Sequence, residues 1–436
     1  MFLLGLTMFH GSLCAQMPDS IEIRLRENVA YLSDPARLGR KAGSQQEKEV
    51  ASYLYRQLDE YGVTMLSPEE GEDFYMARDG DTLHSRNVIG IVEGYDPKLR
   101  DEYVVIGAHY DHMGVSTLKI DGHDVQQVYP GADDNASGVA TLLEVAREVA
   151  GQNFLFRRSV IFAFFGAKEM GMAGSWYFLN RSFADVENID AMINLDMLGT
   201  GYSGFYAFTS SNADMNSLIR TLSGDLHPIK PEIVSTEPYP SDHRSFYAQE
   251  IPSVLFTTGK YPEHNTEKDT QSIIDYEMME RELEYIYNFT LALANDPDAP
   301  MFFPDKVKGK NTKMDGVVSY YDCDQQPTFL GSPDPRKFLE QWVYQYLKYP
   351  AEAVRDGVQG RVMVEFVINK DGKVSDVRVQ RGVSEELDAE AVKVVAASPK
   401  WKPGKVNGEK VRCSMTIPVE FRLEKKSGKP SFGIKK

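Results

Sequence analysis

At 436 residues, 42% hydrophobic and 11% aromatic, the chain has enough apolar material for cores in two or three domains, which excludes a disordered polypeptide. Its net charge of −16 is unevenly divided: residues 301–436 hold 25 Lys+Arg against 18 Asp+Glu, a surplus of 7 that leaves −23 for residues 1–300. An acidic body argues against general nucleic-acid binding, and the asymmetry points to separate modules with different partners.

Met1 to Cys14 is apolar and runs into Ala15-Gln16, the pattern of a signal peptide (1–15) cleaved after Ala15. The run is too short to span a bilayer, and no later stretch reaches that length, so no mature transmembrane helix is expected. Leu13 stands where a lipoprotein signal wants a small residue, which makes lipid anchoring the weaker alternative to export. The expected location is periplasmic or cell-envelope associated. The three cysteines, Cys14, Cys323 and Cys413, are too widely spaced for a Cys-type zinc finger or a disulfide-dense scaffold. Cys323 and Cys413 could pair in an oxidising compartment, and spacing alone does not decide it.

Residues 20–62 read as helices, among them an amphipathic one from Gln45 to Tyr61 that stops at Gly62. SRNVIGIVEG at 85–94 reads as a strand. Tyr103 to Ile106 is a buried strand that ends in GAHYDHMG at 107–114; after a loop, PGADDNASG at 130–138 opens a helix over Val139 to Val149. Ser159 to Phe165 is an almost unbroken apolar run, as expected of a central strand covered on both faces, and Glu169 follows it. IDAMINLDMLG at 189–199 repeats the arrangement with Asp196 at its end, and PSDHRSF at 240–246 precedes the apolar IPSVLFTTG at 251–259. Strands alternating with helices predict an α/β fold, a three-layer α/β/α sandwich on a mostly parallel sheet, over 17–297. Ligands of such sheets lie beyond the carboxyl ends of the strands, where each of these polar residues falls. A His two residues before an Asp, followed by a carboxylate at a helix start, suits a zinc site.

Five motifs in order, GAHYDH, GADDNASG, KEMGMAGS, NLDM and SDH, resemble the co-catalytic zinc aminopeptidases of metallopeptidase family 28, a group with glutaminyl cyclases among its relatives. The resemblance covers about residues 20–295. It implies two zinc ions, His109 and Asp196 on one, Glu169 and His243 on the other, with Asp134 bridging. Asp111 and Asp242 would be carboxylates that orient the ligands. Such a pair of ions lowers the pKa of a bridging water and polarises a scissile carbonyl of a peptide substrate. The chain departs from the family at Lys168, where a glutamate acts as general base. Three alternatives stand: Lys168 itself serves, another carboxylate such as Asp133 substitutes, or the site is a weak peptide binder, a pseudopeptidase or scaffold. A glutaminyl-cyclase-like acyl transferase is the further alternative that the shared ligand pattern permits. EHNTEKDT at 263–270 sets His264 and Asn265 where the family carries Tyr-His for substrate binding. His112, His123 and His227 are expected in loops or at the surface.

Residues 298–329 are rich in Pro, Lys and Asp and read as a linker. From 330 to 424 follow a helical stripe (Phe338, Leu339, Trp342, Val343, Tyr346, Leu347), an alternating strand 361–368, the NKDG turn, a returning strand 374–379, a helix over about 385–397 and a last alternating strand 411–421 in which Pro418 suggests an edge or a bulge. Residues 425–436 form a basic tail. FLEQWVYQYLKYPAEAVRDGVQGRVMVEFVINKDGKV, PKWKPGKVNGEKV and IPVEFRL resemble the TonB C-terminal domain, a small α+β unit. The resemblance implies main-chain recognition at a sheet edge and a protein partner in the envelope. Without a mature membrane helix or a long Pro-rich spacer, docking is expected rather than energy transduction.

Overall fold

A computed structural model describes residues 20–78, 81–120, 123–201, 204–210, 212–225, 229–302, 317–320 and 323–423. The expected signal peptide, Cys14, His227 and the basic tail lie outside the described residues.

Two helices open the chain, α1 (Ile21–Leu32) and α2 (Gln45–Glu60), and each is started by a serine whose hydroxyl accepts from the first-turn backbone, Ser20 from Ile23 and Ser44 from Glu47. Three strands follow: β1 (Thr64–Met65), β2 (Glu72–Arg78) and β3 (Asp81–Val92). Next come β4 (Tyr103–His109), a hairpin of β5 (Gly114–Ile120) and β6 (His123–Tyr129), helix α3 (Gly138–Gly151) and β7 (Ser159–Phe165). The stretch between GAHYDHMG and PGADDNASG, expected as a loop, is therefore a β-hairpin. Helix α4 (Ala173–Tyr177), β8 (Ile189–Leu195), β9 (Tyr206–Phe208), α5 (Ala213–Asp225), β10 (Glu232–Val234), α6 (His243–Tyr247), β11 (Ser253–Thr257) and α7 (Tyr276–Asn295) complete the first domain.

The sheet runs β1-β3-β7-β4-β8-β11-β9-β10, with β2 also on β3. Its centre, β7-β4-β8-β11, is parallel throughout. Its flanks are mixed: β3 is antiparallel to β7 and β9 to β11. The central strands are buried at every residue, and alternate side chains serve opposite faces. In β7, Val160, Phe162 and Phe164 join the core under α1, α2, α3 and α7, while Ile161, Ala163 and Phe165 pack against Phe178, Phe183 and Phe246 on the other side. Burying each such side chain contributes roughly 1.5–3 kcal/mol, which is why β4 and β7 are almost unbroken apolar runs.

The second domain is a four-stranded sheet of β12 (Val317–Ser319), β13 (Gly360–Ile368), β14 (Val374–Arg381) and β17 (Arg412–Phe421), ordered β12-β17-β13-β14, with a small hairpin of β15 (Lys405–Val406) and β16 (Glu409–Lys410). Its core gathers Phe338, Phe366, Leu387, Trp401 and Ile417. The linker expected over 298–329 is shorter than its composition suggests. Val317–Ser319 pairs in parallel with Arg412–Ser414, and Tyr320 and Phe329 are buried in the domain core. Two valines and a serine in a Lys- and Asp-rich context carry no periodicity, so the sequence hides this strand. Pro418 sits opposite Met363 of β13, beyond the reach of β12, where β17 has become an edge and no donor is needed.

The two domains meet at the amino ends of the central strands. Arg422 lies 3.3 Å from both Glu102 and Asp190, which also hold the buried Arg158 at 2.9 and 2.8 Å. Gln359 donates to Glu187 at 2.6 Å. The carboxyl ends of the strands, on the opposite side of the sheet, stay clear of this contact. Among the described residues no helix is long and apolar enough to cross a membrane.

Candidate metal centre

His109 is the last residue of β4 and is fully buried. Its Nδ1 stands 3.1 Å from the Asp111 carbonyl oxygen, a contact that leaves Nε2 to face the site when Nδ1 carries the proton. The Asp111 carboxylate accepts from the backbone N–H of Lys168 at 2.9 Å and of Glu169 at 3.2 Å. One residue thus fastens the end of β4 to the loop after β7.

The 130–138 turn is held from three directions. Arg40, fully buried, donates to the carbonyls of Tyr110 (2.7 Å), Leu32 (3.2 Å), Pro130 (2.5 Å), Gly131 (2.7 Å) and Asp134 (3.3 Å). Asp269 accepts from the N–H of Asp133 at 2.8 Å and of Asp134 at 3.2 Å, and from the Tyr261 hydroxyl at 2.8 Å. Asn135 donates to the carbonyls of His109 (3.2 Å) and Leu195 (2.9 Å) and accepts from the N–H of Met197 (3.0 Å) and Gly138 (3.2 Å). It ties β4, β8 and the start of α3 together. A Cβ on Gly138 would lie 2.3 Å from the Asn135 Oδ1 and 2.8 Å from the Leu195 carbonyl, so glycine is required there for close approach. Asp196 follows β8, with Oδ2 accepting from the Ser241 hydroxyl at 2.6 Å.

These restraints aim three side chains at one point. The His109 Nε2 stands 3.4 Å from both the Asp134 Oδ1 and the Asp196 Oδ1. All three atoms are buried and have no hydrogen-bond partner. Buried polar atoms are ordinarily satisfied, so three that converge unsatisfied are the signature of a cation site. A second group, His112, Asp134 and Glu169, offers one donor atom each within 4.8 Å of one another. His112, expected in a loop or at the surface, is buried with neither ring nitrogen hydrogen-bonded, and burial pushes it down to about 3.

Lys168 enters the same space. Its Nζ lies 3.1 Å from the Glu169 Oε1 and 3.8 Å from both the Asp134 Oδ1 and the Asp196 Oδ2. Burial pulls the amine down, but the carboxylates of Asp134, Asp196 and Glu169 outweigh it and hold the group well above the ordinary lysine value. Burial raises the Glu169 carboxyl. His243 stands outside these two groups: its Nε2 lies 2.8 Å from the Glu237 Oε1, Arg244 binds the same carboxylate, and its buried Nδ1 has no hydrogen-bond partner. Burial raises Glu237, but His243 and Arg244 outweigh it and bring the group to about 2. Asp242, beside it, accepts from Ser175 at 2.6 Å and is pushed up to about 6 by burial. His264 stands 3.3 Å from the Asp134 Oδ2, and Asn265 follows with a positive φ of 60°. Asp133 is turned away from the cluster, accepting from Gly199 (2.6 Å) and Ser137 (2.8 Å).

Arg40 and Glu237 lie outside every motif, and Ser241 and Asp269 lie inside SDH and EHNTEKDT without their contacts to Asp196 and to the Asp133–Asp134 backbone being readable there. Asn135 and Gly138 lie inside GADDNASG, which marks the turn without marking the part that each plays in it.

Residues 87–290 match the family model of peptidase family M28, and residues 345–423 that of the Gram-negative bacterial TonB protein C-terminal domain. Aminopeptidase YwaD of Bacillus subtilis is 33% identical over 119 residues, which are 27% of this chain and 23% of that protein. A probable leucine aminopeptidase 1 of Trichophyton verrucosum is 26% identical over 267 residues, covering 57% of this chain and 68% of its own. The chain spans between a fifth and a quarter of the length of the first curated relatives it matches. In fold it is similar to the aminopeptidase from Aneurinibacillus sp. strain AM-1, with a TM-score of 0.50 at 18% identity over 65% of this chain and 96% of that one. Residues 87–290 are thus similar to peptidase family M28, and residues 345–423, after them, to the TonB C-terminal domain.

Proposed function

We propose that this protein is an exported, zinc-dependent peptidase of aminopeptidase type whose C-terminal domain docks a protein of the cell envelope. The observation that carries the enzymatic part is the convergence of three buried, unpartnered donors, the His109 Nε2, the Asp134 Oδ1 and the Asp196 Oδ1. One imidazole and two carboxylates fit a zinc ion, and these residues would hold it. A zinc ion there supplies a Lewis acid that polarises a scissile carbonyl and acidifies a water. Asp111 sets the His109 ring and the Glu169 loop together. Glu169, partly exposed and raised by burial, is the carboxylate best placed to take the proton that the family's glutamate would accept. Lys168, held as an ammonium, donates rather than accepts. His264 and Asn265 lie at the rim, where a peptide amino terminus would enter. The family pattern brings two zinc ions; a second would draw on Glu169 with His243 or with His112. The relatives' names support release of amino-terminal residues, and the TonB C-terminal domain supports an envelope compartment and a protein partner.

A peptide-binding site without turnover is the second reading, favoured by the ammonium of Lys168 standing where the family has a proton acceptor. One peptide series separates the readings. Zinc-loaded protein is expected to release the first residue of peptides with a free α-amine and to leave N-acetylated copies intact. Cleavage inside acetylated peptides would contradict aminopeptidase action. Cyclised N-terminal glutamine without a released residue would indicate acyl transfer, and binding without any product the pseudopeptidase.

A further inference from the structure

We infer that the Lys168 ammonium is a built-in replacement for the second cation, so that this chain holds one zinc ion where its family pattern implies two. The inference rests on the zinc reading above. A second ion would have to lie between Asp134 and Glu169, whether His243 or His112 completed its donors. That is where the Lys168 Nζ stands, 3.1 Å from Glu169 and 3.8 Å from Asp134, with Asp196 also at 3.8 Å. The side chain is only 12% exposed and is surrounded by the same carboxylates a metal would need.

Charge supports the same count. Asp134, Asp196 and Glu169 bring three negative charges, which one zinc ion and one ammonium balance. Two zinc ions beside the ammonium would leave an excess of two positive charges in a buried pocket. With a glutamate at 168 four negative charges would match two dications, so the substitution removes one counter-charge and supplies a cation in its place. The remaining family ligand is engaged through one ring nitrogen by another carboxylate: the His243 Nε2 meets Glu237, which Arg244 also holds. The ammonium stands closest to Glu169, the one carboxylate of the three that only the second ion would use, so it competes with that ion first.

The test is zinc stoichiometry, measured by plasma mass spectrometry after equilibration at micromolar free zinc, on the full chain and on Lys168→Glu and Lys168→Met, with circular dichroism to confirm folding. Wild type is expected to hold about one zinc per chain, and both variants about two. Two zinc ions in wild type would overturn the inference while leaving the zinc peptidase reading intact. One zinc in all three proteins would also overturn it, because Lys168 would not be what excludes the second ion. No zinc in any of them would overturn the zinc reading itself, and this inference with it. Isothermal titration of metal-free wild type gives a second readout that needs no variant: a single binding step is expected, and two steps of comparable affinity would contradict it.

Discussion

Replacing Arg40 by methionine tests whether the site is held together by one buried side chain. The arginine is fully buried and reaches five backbone carbonyls, three of them at 2.7 Å or less, in Tyr110, Pro130 and Gly131. Methionine fills much of the volume and donates nothing, so those carbonyls become buried and unpaired. Counting only the three short bonds, at about 1–1.5 kcal/mol each, the loss is about 3–5 kcal/mol. Against a typical total of about 5–15 kcal/mol the variant folds with a large part of its stability gone. Because Arg40 also donates to the Asp134 carbonyl, the 130–138 turn should loosen and zinc affinity should fall with it. Arg40→Lys, a point charge that cannot fork, should recover less than half of the loss. Urea denaturation monitored by tryptophan fluorescence and circular dichroism gives the free energy, and chelator competition gives the affinity. A change below about 1 kcal/mol for Arg40→Met, with zinc affinity unaltered, would refute the reasoning.

Other perturbations probe separate parts of the account. Glu282 on α7 is fully buried with neither oxygen hydrogen-bonded, and burial raises it well above the ordinary glutamate value. A raised folded-state value means that its contribution to stability is complete below the unfolded value of about 4.3 and is lost as pH rises through the folded one. Glu282→Gln should therefore melt higher than wild type at pH 8–9, with the gap closing toward pH 5; a gap that widened toward acid would contradict this. Gly138→Ala sets helix propensity against sterics: propensity alone gains about 1 kcal/mol, whereas overpacking against Asn135 and Leu195 costs about 1–3 kcal/mol. A lowered melting temperature is expected, and a raised one would show that the helix start has room. Arg422→Ala cuts the bridge from β17 to Glu102 and Asp190, partly exposed and worth about 1 kcal/mol. Limited proteolysis between the domains should quicken while zinc content stays unchanged, since the contact lies at the far ends of the strands from the site.

The parts of this protein that could be read in its sequence are those with a periodic or punctuated signal. Apolar runs followed by His109, Glu169 and Asp196 announce buried strands with polar tips, because a charged group is costly in the middle of a buried strand and is placed near its ends. The hairpin of β5 and β6 was hidden by its mixed, half-exposed composition, and β12 by its length of three residues. Arg40 and Asp269 were illegible for another reason. Arg40 reaches Asp134 across 94 positions and Asp269 reaches Asp133 across 136, and no local pattern encodes such pairings. His243 shows a limit of motif reading. SDH marks the residue, but its partner Glu237 becomes visible only once the chain is folded. Lys168 was legible as a departure, and its set of three carboxylate neighbours was not.

The central claim is that His109, Asp134 and Asp196 form a zinc site. Crystals grown with zinc and measured on both sides of the zinc absorption edge test it directly. The account predicts an anomalous peak at about 2.0–2.2 Å from the His109 Nε2 and from one oxygen each of Asp134 and Asp196. A zinc-equilibrated crystal with no peak at that position, or with its peak on other residues, would contradict it.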